Sequence, residues 1–357
     1  MIAYNGEYKL NEIIESRAFK EFLQVVGEIQ QVKVRAFHKP FAFFSAAELS
    51  DFCRALQQQP GAKNICQEYY ESVAKTLVNF KINHLSVCPF GMANLIQPVV
   101  KEKKIVGGFI NGPVPLPDWS EQALTKHLSL SPAAVTALKI KKETLWPGTE
   151  SEFQGKLKEI TELSQALLDA VGERSRGKNV DMQTIYQILR LIAACRDEKQ
   201  VLSALLACLN LLFSFDAGLV MLVQEEKPEQ ELKLAYGCGY QYKPEIVKHL
   251  ALPEHLRDKL LVQMEPLIWY AGNLSLKGVA LNKLTFTTHT LCYLPIILRH
   301  KAVGYVILVN GQGINTNIIF TLLNFSALTL ENVRMRLRLQ ELSMTDDLTG
   351  LHNSRYF

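Results

Sequence analysis

The sequence has no excess of charge of either sign: 39 Lys and Arg against 35 Asp and Glu leave a net +4. With no long basic stripe beside it, that balance argues against a nucleic-acid partner. Cysteine is sparse and odd in number, 7 in the whole chain, and scattered. A disulfide framework is therefore not expected; reduced thiols in a cytoplasmic protein are. No apolar run long enough to span a bilayer is free of polar interruption. The best candidate, residues 205–223, carries Asn210, Ser214 and Asp216, and charge near a bilayer centre is costly. The first residues lack the basic leader and apolar core of a secretory signal, so no membrane partner is expected. Walker A and G-x-S-x-G patterns are missing. Gly237-Cys238-Gly239 is a short Gly-rich turn, and a turn between strands explains it.

What is present is ordinary globular composition. The 357 residues, 48% hydrophobic and 21% charged, suffice for two or three domains with their own cores. Apolar spacing predicts a helix over 10–30 and strands with a turn over 32–44, broken at Pro40. Ser45 and Glu48 have the spacing of a capping box for a helix over 46–58, ended by Pro60-Gly61. A helix over 63–79 and strands over 84–88, 94–100 and 105–110 follow, with a proline-rich exit over 113–117. Phe153, Leu157, Ile160, Leu163 and Leu167 mark an amphipathic helix. The polar run 172–179 reads as a domain boundary. Beyond it come helices over 182–195 and 201–213, strands over 217–223 and 232–236, and a variable stretch to about 283. A hairpin over 290–298 and 302–310 and a long helix over 317–344 complete the chain. On that helix Leu330, Val333, Leu337, Gln340 and Met344 follow a and d spacing, which predicts a parallel homodimeric coiled coil.

Three resemblances organise this plan. Asp346-Asp347-Leu348-Thr349-Gly350-Leu351-His352-Asn353-Ser354-Arg355 resembles the opening of GGDEF domains, the diguanylate cyclase family, with Ser354 in place of an Arg. The resemblance implies a guanine contact for Asn353. No G-G-[DE]-[DE]-F turn occurs in the chain, so GTP and magnesium are expected only for the rest of such an output domain, and the chain itself is not expected to be an enzyme. The helix over 201–213, the strand Ala217 to Val223 and the hairpin Leu294-Pro295-Ile296…Val303-Gly304-Tyr305 resemble a GAF domain. That implies a sheet with a small-molecule cavity on one face, which Tyr236, Trp269, Tyr270 and Tyr293 could line. Phe52-Cys53, Cys66, Cys88-Pro89-Phe90-Gly91-Met92, Pro98-Val99 and Gly108…Gly112 resemble a PocR sensory domain, with Phe90 where His is common and Pro113 where Gln is usual. That implies a PAS-like sensor of small organic molecules, simple hydrocarbon derivatives in particular.

The expected fold class is α+β: two PAS/GAF-like domains with antiparallel sheets and flanking helices, joined and followed by long signalling helices. The expected divisions are a PocR-like domain over 8–172, a linker over 173–181 and a GAF-like domain over 182–337. A signalling helix over 323–345 and a GGDEF start over 346–357 follow. Cys53, Cys66, His84 and Cys88 are candidate ligand-binding residues. The same four offer soft donors for a metal, although their spacing is not that of a zinc knuckle. The expected function is the ligand-sensing portion of a bacterial diguanylate cyclase, controlling its dimer geometry. The alternatives are a metal or redox sensor built on the cysteines and a purely structural dimerisation module.

Overall fold

The computed structural model describes residues 10–38, 49–80, 84–101, 104–115, 119–143, 155, 158–160, 162–163, 165–166, 180–223, 232–239, 242–243, 250, 252, 254–270 and 289–344. The chain divides into two compact units, Met1–Thr184 and Ile185–Phe357. The expected linker and the GGDEF-like residues with Asn353 lie almost wholly outside the described residues. Among those residues no helix is long and apolar enough to cross a membrane.

Unit 1 opens with two helices, α1 Leu10–Glu15 and α2 Arg17–Gln30, where spacing suggests one. Ser16 makes the break. Its Oγ accepts from Phe19 N, capping α2, and donates to Ile13 O at 2.7 Å. Strand β1 Val34–His38 follows, then α3 Asp51–Gln57 and α4 Ala62–Phe80. The cap of α3 is Ser50, which accepts from Cys53 N at 3.2 Å. Leu49 and Ser50 are not helical, so no helix runs on from Ser45. Strands β2 His84–Val87, β3 Met92–Lys101 and β4 Lys104–Pro115 complete an antiparallel sheet of order β1-β4-β3-β2. Strand β4 runs through Gly112 and Pro113 rather than ending before them, because Ala93 and Met92 still pair with Val114 and Pro115. Short helices α5 Gln122–Thr125 and α6 Pro132–Glu143 follow. Of the amphipathic segment 153–167, Ile160 and Leu163 are described and buried.

The sheet of unit 1 is covered on both faces. On one, Phe19 of α2 packs against Phe109 at 6.2 Å between ring centroids. On the other, Tyr69, Tyr70 and Val73 of α4 pack with Phe37, Ile96 and Ile110. Further along, Phe52, Leu56, Phe90, Met92, Leu124 and Leu128 form a second apolar cluster under α3.

Unit 2 begins within α7 Met182–Ala193, followed by α8 Glu198–Phe213, capped by Asp197. Its sheet contains β5 Ala217–Val223, β6 Leu232–Cys238, β7 Leu267–Tyr270, β8 Thr290–Leu298 and β9 Lys301–Val309, with α9 Glu254–Leu261 inserted before β7. The order is β6-β5-β9-β8-β7, antiparallel throughout. Asn310 closes one end in the left-handed region at φ 58. Its side chain accepts from His289 N at 2.6 Å and donates to Asp216 at 2.6 Å. Helix α10 Thr316–Met344 ends the described chain.

The fold class is as the sequence implies: α+β, with antiparallel sheets, flanking helices and a long final helix. The coiled-coil seam is not. Leu330 and Val333 are buried within unit 2 itself, whereas Leu337 and Gln340 are exposed. The physical reason is that α10 carries two apolar stripes. The one containing Leu330 and Val333 is spent on packing α10 against α8 and β8.

Candidate functional site

The α4 face of the unit 1 sheet holds a group of polar side chains inside an apolar shell. Arg35 stands on β1, one residue from Ala36 and two from Phe37, so pleating turns it to the face that α4 covers. It is only 3% exposed. Its Nη2 reaches the Tyr70 hydroxyl and the Gly112 carbonyl, each at 3.5 Å, the outer limit of a hydrogen bond. Asn94 of β3 is 2% exposed. Its Nδ2 donates to the Tyr69 hydroxyl at 3.5 Å and to Met92 O at 3.4 Å, and Tyr69 in turn donates to Ser86 O at 3.3 Å. Asn94 Oδ1 is buried and has no hydrogen-bond partner among the described residues. Gly112 joins the two halves. It has φ +129, and a Cβ there would meet Ala93 O at 2.8 Å and Asn94 Oδ1 at 3.0 Å. Only glycine lets β4 pass that close to the amide.

The cysteines border this group. Cys53 of α3, Cys66 of α4 and Cys88 in the β2–β3 turn all pack against the apolar cluster under α3. Burial raises the Cys53 thiol, opposed by the Ser50 hydrogen bond and the charge of Arg35. Burial pushes Cys66 up to about 11 and Cys88 up to about 12. The Tyr69 and Tyr70 hydroxyls are raised for the same first reason. At neutral pH these sulfurs are therefore thiols, poor as nucleophiles. Phe90, where the resemblance leads one to expect His, is fully buried and meets His127 edge-on at 6.2 Å. The turn is closed by Trp119 Nε1, which donates to Phe90 O at 2.9 Å.

The sequence model described as the sensory domain found in PocR matches residues 12–196, more than half of the chain. The chain belongs to this family. No curated protein matches it. Among solved structures, it is similar to the GAF domain of an Acinetobacter phosphoenolpyruvate-protein phosphotransferase at 17% identity and a TM-score of 0.36, covering 44% of this chain and 96% of that one. The GAF domain of the Coxiella burnetii phosphoenolpyruvate-protein phosphotransferase gives 16% identity and a TM-score of 0.36, over 43% and 94%. Residues 122 to 287 of a methyl-accepting chemotaxis protein give 15% and 0.32, over 42% and 97%.

Within the PocR domain the metal expectation fails. Among the described residues no three of His, Cys, Asp and Glu form a group able to hold a metal ion, so Cys53, Cys66, Cys88 and His84 do not make one. His84 starts the edge strand β2 opposite Ile96, half-buried, and the thiols face apolar side chains. The aromatic set of unit 2 is divided as well. Trp269 and Tyr293 meet edge-on at 5.6 Å. Tyr293 is fully buried and donates to Leu250 O at 2.8 Å, as a packed core tyrosine does. Tyr236 sits on β6 and Trp269 on β7, at opposite edges of the five-stranded sheet.

Arg35, Tyr69, Tyr70 and Asn94 were not singled out from sequence. Two signals were available: an Arg two residues before Phe37 on one strand face, and an Asn inside the apolar strand Met92-Ala93-Asn94-Leu95-Ile96.

Proposed function

We propose that the PocR domain binds a small polar organic molecule, of the size and chemistry of a short-chain alcohol or diol, between β3–β4 and helices α3 and α4. The observation that carries this reading is Asn94 Oδ1, an acceptor buried without a partner among the described residues and adjoining the Tyr70–Arg35–Gly112 contacts. A buried acceptor left unpaired costs about 1–3 kcal/mol. A ligand hydroxyl removes that cost by donating to Asn94, and its oxygen can accept from Arg35 or Tyr70. The thiol and aromatic walls suit a short hydrocarbon skeleton.

Mass spectrometry of small molecules co-purifying with the native chain, followed by thermal shift with glycerol and propanediols, tests this. A ligand at about 100 times its Kd adds roughly 2.7 kcal/mol of stability. Cys88→Trp, which overfills the wall of the site, should abolish that gain. Undiminished stabilisation of a folded Cys88→Trp variant would place the site elsewhere.

In the same reading the chain is the regulatory portion of a diguanylate cyclase, and ligand acts on a homodimer through α10. The GGDEF-like residues 346–357 support this part. The chain by itself makes no cyclic di-GMP from GTP and magnesium; a complete GGDEF domain joined after Phe357 makes it in a ligand-dependent way. Mass-verified product from the chain alone would overturn this assignment.

A further inference from the structure

Helix α10 packs into unit 2 with one stripe and leaves a second uncovered. The inward stripe is Ile319, Leu322, Leu323, Ala327, Leu330 and Val333, all buried. The outward one is Phe325, Leu328, Asn332, Met335 and Leu339, at alternating steps of three and four residues, with Phe325 half-buried and the other four exposed. Leu328 is 49% exposed, Met335 50% and Leu339 59%. That spacing puts Phe325, Asn332 and Leu339 on a positions and Leu328 and Met335 on d positions, with Leu330 and Val333 on the f and b positions opposite. Arg334 is tied to the domain's own surface through Glu198 at 2.9 Å, and Arg336 more loosely through the Cys195 carbonyl at 3.4 Å. From Met335 to Gln340 every side chain is exposed, yet the helix continues to Met344. A helical stretch of that length is marginal in water without a face to pack on.

We propose that this outward face is a self-association seam, and that its occupant is the same face of a second copy of this chain, parallel and in register. The choice of occupant rests on charge and on the Asn. Glu331 falls on g and Arg336 on e of the following heptad. In a parallel two-stranded coil, g faces the e position five residues on. Glu331 therefore meets Arg336 of the partner subunit, twice by symmetry. Glu331 already takes Arg299 at 3.1 Å and Arg336 Nη2 already donates to Cys195 O at 3.4 Å, but a carboxylate accepts from two guanidiniums and a guanidinium has N–H groups to spare. Asn332 meets its own copy at an a position, an arrangement that specifies two parallel strands in register at some cost in stability. That weak point sits between the packed part of α10 and its exposed end, where a rotation of one helix against the other has least to disrupt.

This rests on the reading that a dimer transmits the signal, and the test separates the two. Sedimentation velocity on the full chain should show a dimer. Leu328→Glu combined with Met335→Glu should weaken association by well over about tenfold while unit 2 stays folded, circular dichroism losing no more than the last turns of α10, because both side chains are at the surface. Leu337→Glu, on an f position and 46% exposed, should leave the dimer intact. Asn332→Cys should cross-link to a covalent dimer on mild oxidation, which the native chain should not do. A native chain that stays monomeric at its highest soluble concentration overturns both seam and dimer. A dimer that survives the double Glu variant, or fails to cross-link through Asn332→Cys, overturns the seam and leaves the dimer reading standing.

Discussion

Replacing Asn94 by leucine should separate stability from ligand response, in opposite directions. The wild-type amide contributes two contacts, to the Tyr69 hydroxyl at 3.5 Å and to Met92 O at 3.4 Å. Both are at the outer limit of hydrogen bonding, so each is worth well under about 1 kcal/mol. Losing them orphans little, since Tyr69 still donates to Ser86 O at 3.3 Å. Against this stands the buried Oδ1, whose unpaired burial costs about 1–3 kcal/mol. Leucine has the same branched skeleton and no polar atom, so it removes the penalty without opening a cavity, while its bulkier methyl groups add packing strain that offsets part of the gain. The net expectation is a ligand-free domain unchanged or stabilised by up to about 1 kcal/mol, and no stabilisation by ligand. Hydrogen exchange of the β3 and β4 amides reads this locally: protection should be equal or up to about fivefold greater in Asn94→Leu. Exchange more than about tenfold faster would mean that the amide is a structural hub and that its orphaned oxygen marks no ligand. A variant that still gains protection from a ligand that protects the wild type would refute the site.

Leu330→Asp should unfold unit 2 rather than dissociate a dimer, because Leu330 is buried against its own domain. Loss of helical circular dichroism and a destabilisation of several kcal/mol are expected, and a folded monomer would contradict this. Gly112→Ala should cost about 2 kcal/mol or more in denaturant melts, since φ +129 and the approach of Ala93 O at 2.8 Å both resist a Cβ; a neutral result would place β4 differently. The thiols predict a pH dependence of known sign. Cys66 and Cys88 ionise near 9 when unfolded and at about 11 and about 12 when folded. Burial of the neutral thiol therefore stabilises fully below pH 9, and that contribution is lost as pH rises from 9 towards 11 and 12. Replacing both by alanine should flatten the alkaline fall in stability, and an unchanged slope would refute their burial. For the same reason a thiol reagent at neutral pH should label Cys66 and Cys88 in denatured protein far faster than in native protein.

The sequence pattern was informative wherever one face of an element was apolar and the other was not. Strands β5 and β8 fall within the spans that alternation and turn residues mark, and α4 begins and ends within a residue of its expected bounds. The misses have physical causes. Ser16 is both an ordinary helix-surface residue and a cap, and only its bonds to Phe19 N and Ile13 O decide between them. Strand β7 and helix α9 lie in a stretch whose apolar residues have no clear period, because Leu260, Leu261 and Leu267 serve a cluster built from distant strands. Such elements are specified by tertiary packing more than by local pattern.

The site follows the same logic from the other side. Cysteine was noticed because its chemistry is conspicuous, yet burial disarms it: the three thiols act as small apolar surface. The side chains that break the apolar pattern are Arg35 and Asn94, and a polar residue in a buried strand must be either satisfied or in use. Asn111 shows that the rule needs the fold to be read correctly. Its Oδ1 is likewise buried without a partner among the described residues, but it lies two residues from Phe109, on the sheet face that α2 covers, and its Nδ2 is bonded to Gln97 at 3.0 Å. Asn94 differs because Tyr69, Tyr70, Arg35 and Gly112 bring hydroxyls, a cation and a close backbone to its own face. Helix α10 presents the same ambiguity in apolar form: two stripes on one helix, of which sequence spacing alone selected the one that its own domain consumes. In both places the sequence names the candidates, and it is the covering element, α4 over Asn94 and the unit 2 sheet under Leu330, that determines which of them remains available for a partner.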